Sequence, residues 1–523
     1  MDSRAAHVTK TLDLLDIQGN IVRPYGRFGF PLARYLLLNV RDSRRGRDWL
    51  GQMIPRVTTA ATWGDGPGLL PRPMATLNIA INRAGFVALD LPRESMISFP
   101  AEFSMGMSAR KDIIGDDGPS SPACWDPVWR GTTADKAVHI LLTLNARNAS
   151  ALSAQYDWVI EQLALSGGAV ALLDGHRSAD GTLLPYQEGH LLLEKGEPTS
   201  REHFGYTDGI GDPYFEGIQD PASRVEGRGK QMPDGSWQPL ALGEFLLGHL
   251  DEARQYPPAP QPLLLSRNGT YMVYRKLHQN VASFDQLLQR EGARYPGGAE
   301  LLAAKFVGRW RDNGAPLVNA PDAPAKQAWD AKFAKASPVE RDAMLSDFLY
   351  DDDMSGARCP LSAHIRRLNP RASLELKAGK SPGEFVRNPG AFDTPGALAN
   401  RRRILRRGLP YGDSTAVRND AGEQGVIMMM LNADIGRQYE FIQQQWVNCG
   451  NDFREGNDKE VLLGNHSPQS PTRVIHNVDP RGDAPPRFVN DIPRLVETRG
   501  GDYFFVPSLT AMRLIARGLI DPT

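Results

Sequence analysis

The chain has 523 residues, 41% hydrophobic and 23% charged, the balance of a globular protein of two or three domains rather than a disordered or fibrous one. Lys and Arg number 60 against 61 Asp and Glu, so no overall field recruits nucleic acid or an anionic membrane, and no run approaches the ~18 apolar residues of a membrane span. Cys124, Cys359 and Cys449 are too few and too scattered for a disulfide framework or a thiolate metal site, and "MDSRAAHVTKTLDLLDIQGNIV" lacks a signal-like apolar run, so the sequence reads as soluble and cytoplasmic.

A short apolar strand run, a polar break and a helical pattern recur four times. The first unit is "ARYLLLNVRDSRRGRDWLGQM" at 33–53, followed by the strand-like "TLNIAINRAGFVAL". The second, at 136–163, is followed by "GAVALLDG". The third covers 269–289 and the fourth 424–446, after which "DYFFVPSLTAMRLIARGL" adds a further strand-like run. Runs such as 426–431 are short enough for strands, while Tyr439, Ile442 and Trp446 recur at helical spacing. Four such halves in two pairs predict two α+β domains of ferredoxin-like build.

Between the second and third units lies "FGYTDGIGDPYFEG" at 204–217, with four glycines around Asp208. Such a turn either uses Asp208 to stabilise itself or lets backbone approach a bulky ligand closely. Between the third and fourth units runs a long segment, about 290–423, rich in Pro, Gly, Ala and charge. An excursion of that length inside a domain is functional or disordered.

Two stretches of this segment carry chemistry. His364 stands in "CPLSAHIRRLNPR", bounded by prolines and followed by Arg366, Arg367 and Arg371. Alone, this reads as a basic helix with an incidental histidine. Haem nevertheless needs a single histidine and cations for its propionates. None of the ten histidines forms a His-x-x-x-His pair or a Cys/His cluster, which argues against a local zinc motif. "NRRRILRRGLPYGDS" at 400–414 places Arg401, Arg402, Arg403, Arg406 and Arg407 within seven residues, a charged face or an anion site. Without interleaved aromatics it is a poor nucleic-acid binder. Asp434 begins the fourth helical pattern, where it reads as an N-cap.

In order, "LDIQGNIV", Gly-x-x-Asp-Gly at 205–209, "NGTYMVYRKLHQNVASF", "RCPLSAHIRRLNPR", "RRILRRGLPYG", "LNADIGRQYEFIQ" and "GGDYFFVPS" resemble the dye-decolourising (DyP-type) haem peroxidases, in their longer form. The resemblance implies two ferredoxin-like domains in a dimeric α+β barrel architecture: 1–220 with the distal motif, and 221–523 with haem and the long insertion. It implies haem b as cofactor and hydrogen peroxide with bulky aromatic donors, dyes or phenols, as substrates. Nucleic-acid and membrane partners are not expected, and the oligomeric state is left open.

His364 would be the proximal iron ligand, Asp434 the carboxylate behind it, and Arg366 and Gly209 further cofactor contacts. Asp208 and Arg406 would be the distal catalytic pair, with Arg407 or Arg403 as the register alternatives for the arginine. Arg402 stands where the family pattern suggests histidine, and Asp212 also departs from that pattern. A haem carrier or iron-release protein on the same scaffold is the alternative reading.

Overall fold

In the first half, near-continuous burial along Leu32–Val40 (β1) gives way at Asp42, whose carboxylate accepts from Arg45 N and starts helix α1, Ser43–Met53. Strands β2 (Ala75–Ile81) and β3 (Ile140–Ala146) follow, then α2 (Ala149–Leu165), capped in the same way by Asn148, and β4 (Val170–Leu172). The strands pair antiparallel in the order β2-β3-β1-β4, and β5 (Gln187–His190) pairs with the start of β1. The computed structural model describes residues 12–521 except 68, 179, 219–224, 379–384, 388–394, 414–417, 470, 472, 477–484 and 486.

The second half opens with β6 (Thr270–Gln279) and α3 (Val281–Gly292), then helices α4 (Gly298–Val307), α5 (Ala323–Lys335), α6 (Pro338–Ser346) and α7 (His364–Leu368). Strands β7 (Leu405–Arg407), β8 (Pro410–Tyr411) and β9 (Gly425–Asn432) lead to π-helical turns at Gly436–Glu440 and Ile442–Val447. Strand β10 (Val496–Val506) and helix α8 (Leu509–Arg517) follow. The order β7-β9-β6-β10 repeats the topology of the first half. Both halves are therefore ferredoxin-like sheets with helices on one side. The fourth helical pattern winds as π-helix, not α-helix, a form that recurs at functional sites. The segment read from sequence as one long excursion supplies α4 to α7 and the edge strands β7 and β8.

The two sheets meet at a single bridged pair, Ile81 of β2 opposite Phe505 of β10. Gln18 closes this seam. Its fully buried amide donates to the carbonyls of Ile79 (2.8 Å) and Pro507 (2.9 Å) and accepts from Ile79 N (2.9 Å). At the far edges β8 packs against β5, so the ten strands curl into a barrel.

The pleat sorts side chains onto two faces. Tyr35, Leu37, Leu141, Met272, Tyr274, Ile427, Met429, Leu431 and Phe504 fill the barrel interior. On the outer face of the first half, Leu36, Leu38, Leu77, Ile79, Leu142 and Leu144 pack in one core with Trp49 and Leu50 of α1 and Leu152 and Val159 of α2. On the outer face of the second half the filling changes. Arg275, Leu277, Gln279, Val426, Met428 and Met430 border a cavity.

Candidate active site

The cavity, of 310 Å³, lies between that sheet face and a helical wall made by α7 and the π-helical turns. His364 begins α7, and His364, Ile365 and Leu368 share its cavity side. Arg366, two residues on and about 200° round the helix, turns away from the cavity. It donates to Asp353 Oδ2 (3.0 Å), Asp353 O (2.7 Å) and Cys359 O (2.7 Å), with its guanidinium 4.4 Å from the Tyr350 ring centroid. Arg366 fastens the Cys359–Pro360 turn that leads into the histidine.

Asp434 makes its contacts within its own turn. Its carboxylate accepts from Arg437 N (2.9 Å) and pairs with Arg437 Nε (3.4 Å), so it caps the π-helical turn. The carboxylate that faces His364 is Glu460, with Oε1 3.3 Å from Nδ1 and the side chain fully buried. Glu460 also accepts from the amides of Leu462 (3.0 Å) and Leu463 (2.6 Å). Burial pushes this carboxyl up, but the neighbouring His364 and those amides outweigh it and hold the group below the usual range. Nδ1 is buried against Glu460, and His364 itself lines the cavity. The sequence signal for Glu460 is a carboxylate abutting the apolar Val461–Leu463 run.

On the sheet side, Arg406 of β7 lies opposite Met430 of β9, and its side chain lines the cavity. Its Nη1 donates to Asp208 Oδ1 (2.8 Å) and its Nη2 to Ile210 O (3.2 Å). Arg407 points the other way, into the barrel, and donates to the carbonyls of Asn20 (2.6 Å) and Ile21 (2.7 Å). It also meets Asp212 Oδ2 at 3.0 Å, so Asp212 ties the turn to the "IQGNIV" segment. Arg403 reaches the cavity, where burial lowers its pKa to about 10, and its Nη2 donates to Gly211 O (3.4 Å). Arg402 also borders the cavity, 3.6 Å over the Phe441 ring, a contact suited to a planar cation.

The Asp208 turn needs its glycines for shape. Gly205 (φ 93°) and Gly209 (φ 78°) adopt backbone that side chains resist. Thr207, Asp208, Ile210 and Gly211 border the cavity, and the positive φ of Gly209 shapes the turn that carries them. Sequence reasoning missed Glu202. Its carboxylate accepts from Phe204 N (2.9 Å) and Tyr206 N (2.8 Å) and from Gln279 Nε2. Burial pushes its pKa up against those three bonds. It knots the turn from within and joins it to β6.

These residues suit a porphyrin. A histidine nitrogen stands on one wall, an acid–arginine pair is held by the sheet, and Val307, Phe348, Ile442, Val447 and Leu462 supply apolar faces between. Arg275, Arg309 and Arg494 give the same cavity cations for anionic substituents.

No family profile matches the chain. Curated relatives do. The chain is 30% identical over 388 residues to a multifunctional dye peroxidase of Amycolatopsis sp., covering 68% of this chain and 72% of that protein. It is 26% identical to a dye-decolorizing peroxidase of Mycetinis scorodonius, covering 96% and 88%. Among solved structures, an ancestral D-type dye-decolorizing peroxidase superposes with a TM-score of 0.71 at 24% identity, over 96% of this chain and 99% of that one. A fungal DyP-type peroxidase from Auricularia auricula-judae gives 0.71 at 22% identity, over 97% and 99%. The relatives thus define the class, that of peroxidases, which are hydrogen-peroxide-dependent oxidoreductases. The chain belongs to the dye-decolourising peroxidase family.

Proposed function

We propose that this protein binds haem b through His364 Nε2 and uses Asp208 and Arg406 to activate hydrogen peroxide for the one-electron oxidation of bulky aromatic donors. The observation that carries this reading is the meeting, in one cavity, of a Glu460-backed histidine with the Asp208–Arg406 pair. Haem iron supplies the centre at which peroxide is split and the oxidising equivalents that follow. Glu460 fixes the Nδ1–H tautomer and raises the donor strength of Nε2.

Asp208 Oδ accepts the proton of one peroxide oxygen and returns it to the other, which leaves as water. Arg406 stabilises the charge that develops on the departing oxygen. Side chains of Asp208 and Arg406 are each about a third accessible, so peroxide can reach both. A related structure holds 2,6-dimethoxyphenol, which supports phenols as donors. The three cysteines are unbridged, which supports a reducing, cytoplasmic setting.

An absorbance spectrum of the haem-loaded protein before and just after one equivalent of peroxide tests the reading. The expected result is a Soret band that shifts within seconds. A band that ignores peroxide would instead assign the scaffold to haem carriage, and a chain unable to hold haem would remove His364 as ligand.

A further inference from the structure

Three consecutive methionines, Met428, Met429 and Met430, run along β9. The pleat separates them. Met428 and Met430 border the cavity, whereas Met429 lies in the barrel interior with Ile427 and Leu431. Met430 is the direct register partner of Arg406, and Met429 that of Arg407. Two thioethers therefore stand in the wall of the chamber where Asp208 and Arg406 meet peroxide, and a third of the same sequence context stands on the other side of the sheet.

A thioether is the softest two-electron reductant among side chains that cannot ionise, and its oxidation needs no base. We infer that Met428 and Met430 are modification sites, oxidised to sulfoxides by the peroxide the cavity admits, with Met429 spared. This rests on the peroxidase reading of the cavity. In each event the O–O bond of hydrogen peroxide breaks and one oxygen bonds to sulfur, which loses two electrons. The second oxygen leaves with both hydrogens as water. The product places a polar S=O group beside Arg406. That oxygen accepts a hydrogen bond from the guanidinium, in competition with Asp208. The modification thus acts as a brake that tightens with peroxide exposure, and because sulfoxides are reducible by dedicated enzymes the brake can be released.

The test uses the haem-loaded protein under successive peroxide additions, with the Soret band followed optically and each methionine scored by tandem mass spectrometry. The expected result is one oxygen atom on Met428 and on Met430 roughly tenfold ahead of Met429, with peroxide reactivity falling in step and recovering on treatment with methionine sulfoxide reductases. Exposed Met74 and Met105 report reaction with bulk peroxide in the same digest. A Soret band that responds while Met428 and Met430 stay unmodified overturns the inference alone. Equal oxidation of Met429 also overturns it, because the sheet then gives no protection. A band that ignores peroxide, with all three thioethers intact, overturns both the inference and the peroxidase reading. Met430→Leu, which keeps the apolar wall, is expected to survive several-fold more peroxide additions; an unchanged lifetime argues against the brake.

Discussion

Arg406 and Arg407 are neighbours in sequence and face opposite sides of a sheet, and their substitutions should diverge accordingly. Arg406→Ala is expected to slow the peroxide-induced spectral change by on the order of 10²-fold or more, the usual cost of removing a donor aimed at developing charge. Arg407→Ala leaves the carbonyls of Asn20 and Ile21 and the Asp212 carboxylate without their cation. It should therefore appear first as a lowered unfolding midpoint. A second pair separates Glu460, which faces the histidine, from Asp434, which the sequence resemblance placed behind it. Glu460→Gln should weaken haem retention by roughly 10- to 100-fold and shift the ferric spectrum. Asp434→Asn should leave that spectrum unaltered and cost about 1 kcal/mol or less as a weakened cap. Equal spectral effects would return Asp434 to the proximal role. Asp208, Arg406 and His364 were legible because each sits in a motif. The parity that separates Arg406 from Arg407 was not, since five arginines in a run show no alternation. Glu460 reaches His364 from a distant loop, a pairing that no local pattern encodes.

The elements were easier to read than the residues, because short apolar strand runs give way sharply to helical spacing at Val40–Asp42, Ala146–Asn148 and Gln279–Asn280. The segment after α3 was harder. Its helices are short, and its strands β7 and β8 have too few residues to show alternation. What joins the elements is polar and local. At the seam of the two sheets Gln18 replaces the ladder bonds that one bridged pair does not provide. Gln18→Ala leaves those buried groups unpaired and should destabilise the fold by roughly 1–3 kcal/mol, read as a lower urea midpoint. An unchanged midpoint would show that the seam holds by apolar packing alone. The Glu202 knot works likewise on the Asp208 turn, joining backbone amides to Gln279 of the neighbouring strand.

At the scale of the molecule, two halves of one topology have been put to different uses. The first closes its outer face with aliphatic side chains, and the second opens it into a chamber. Burial also leaves the whole protein sensitive to acid. Desolvation depresses His176 to about 3 and His203 to about 4. In the unfolded chain each imidazole takes a proton near pH ~6.5. Below that pH the unfolded state binds more protons than the folded state. The stabilisation is therefore complete above about pH 6.5 and is lost as pH falls toward the folded values, at roughly 1.4 kcal/mol per unit for each histidine. Urea midpoints should fall steeply between pH 7 and pH 5 (about two units), and His203→Gln should flatten that slope. A pH-independent midpoint would mean that the two rings are hydrated in the native state.

Strand β10 gives the order of events during synthesis. It supplies Val496 and Thr498 to the chamber wall, and its other end carries Phe505, which forms the bridged pair with Ile81 of β2 between the sheets. While a ribosome is still extending the chain, the first half can complete its own sheet. The chamber lacks a side and the barrel lacks its joint until β10 has emerged. Haem capture at the proposed site is therefore expected to wait until β10 has paired with β6 and β2.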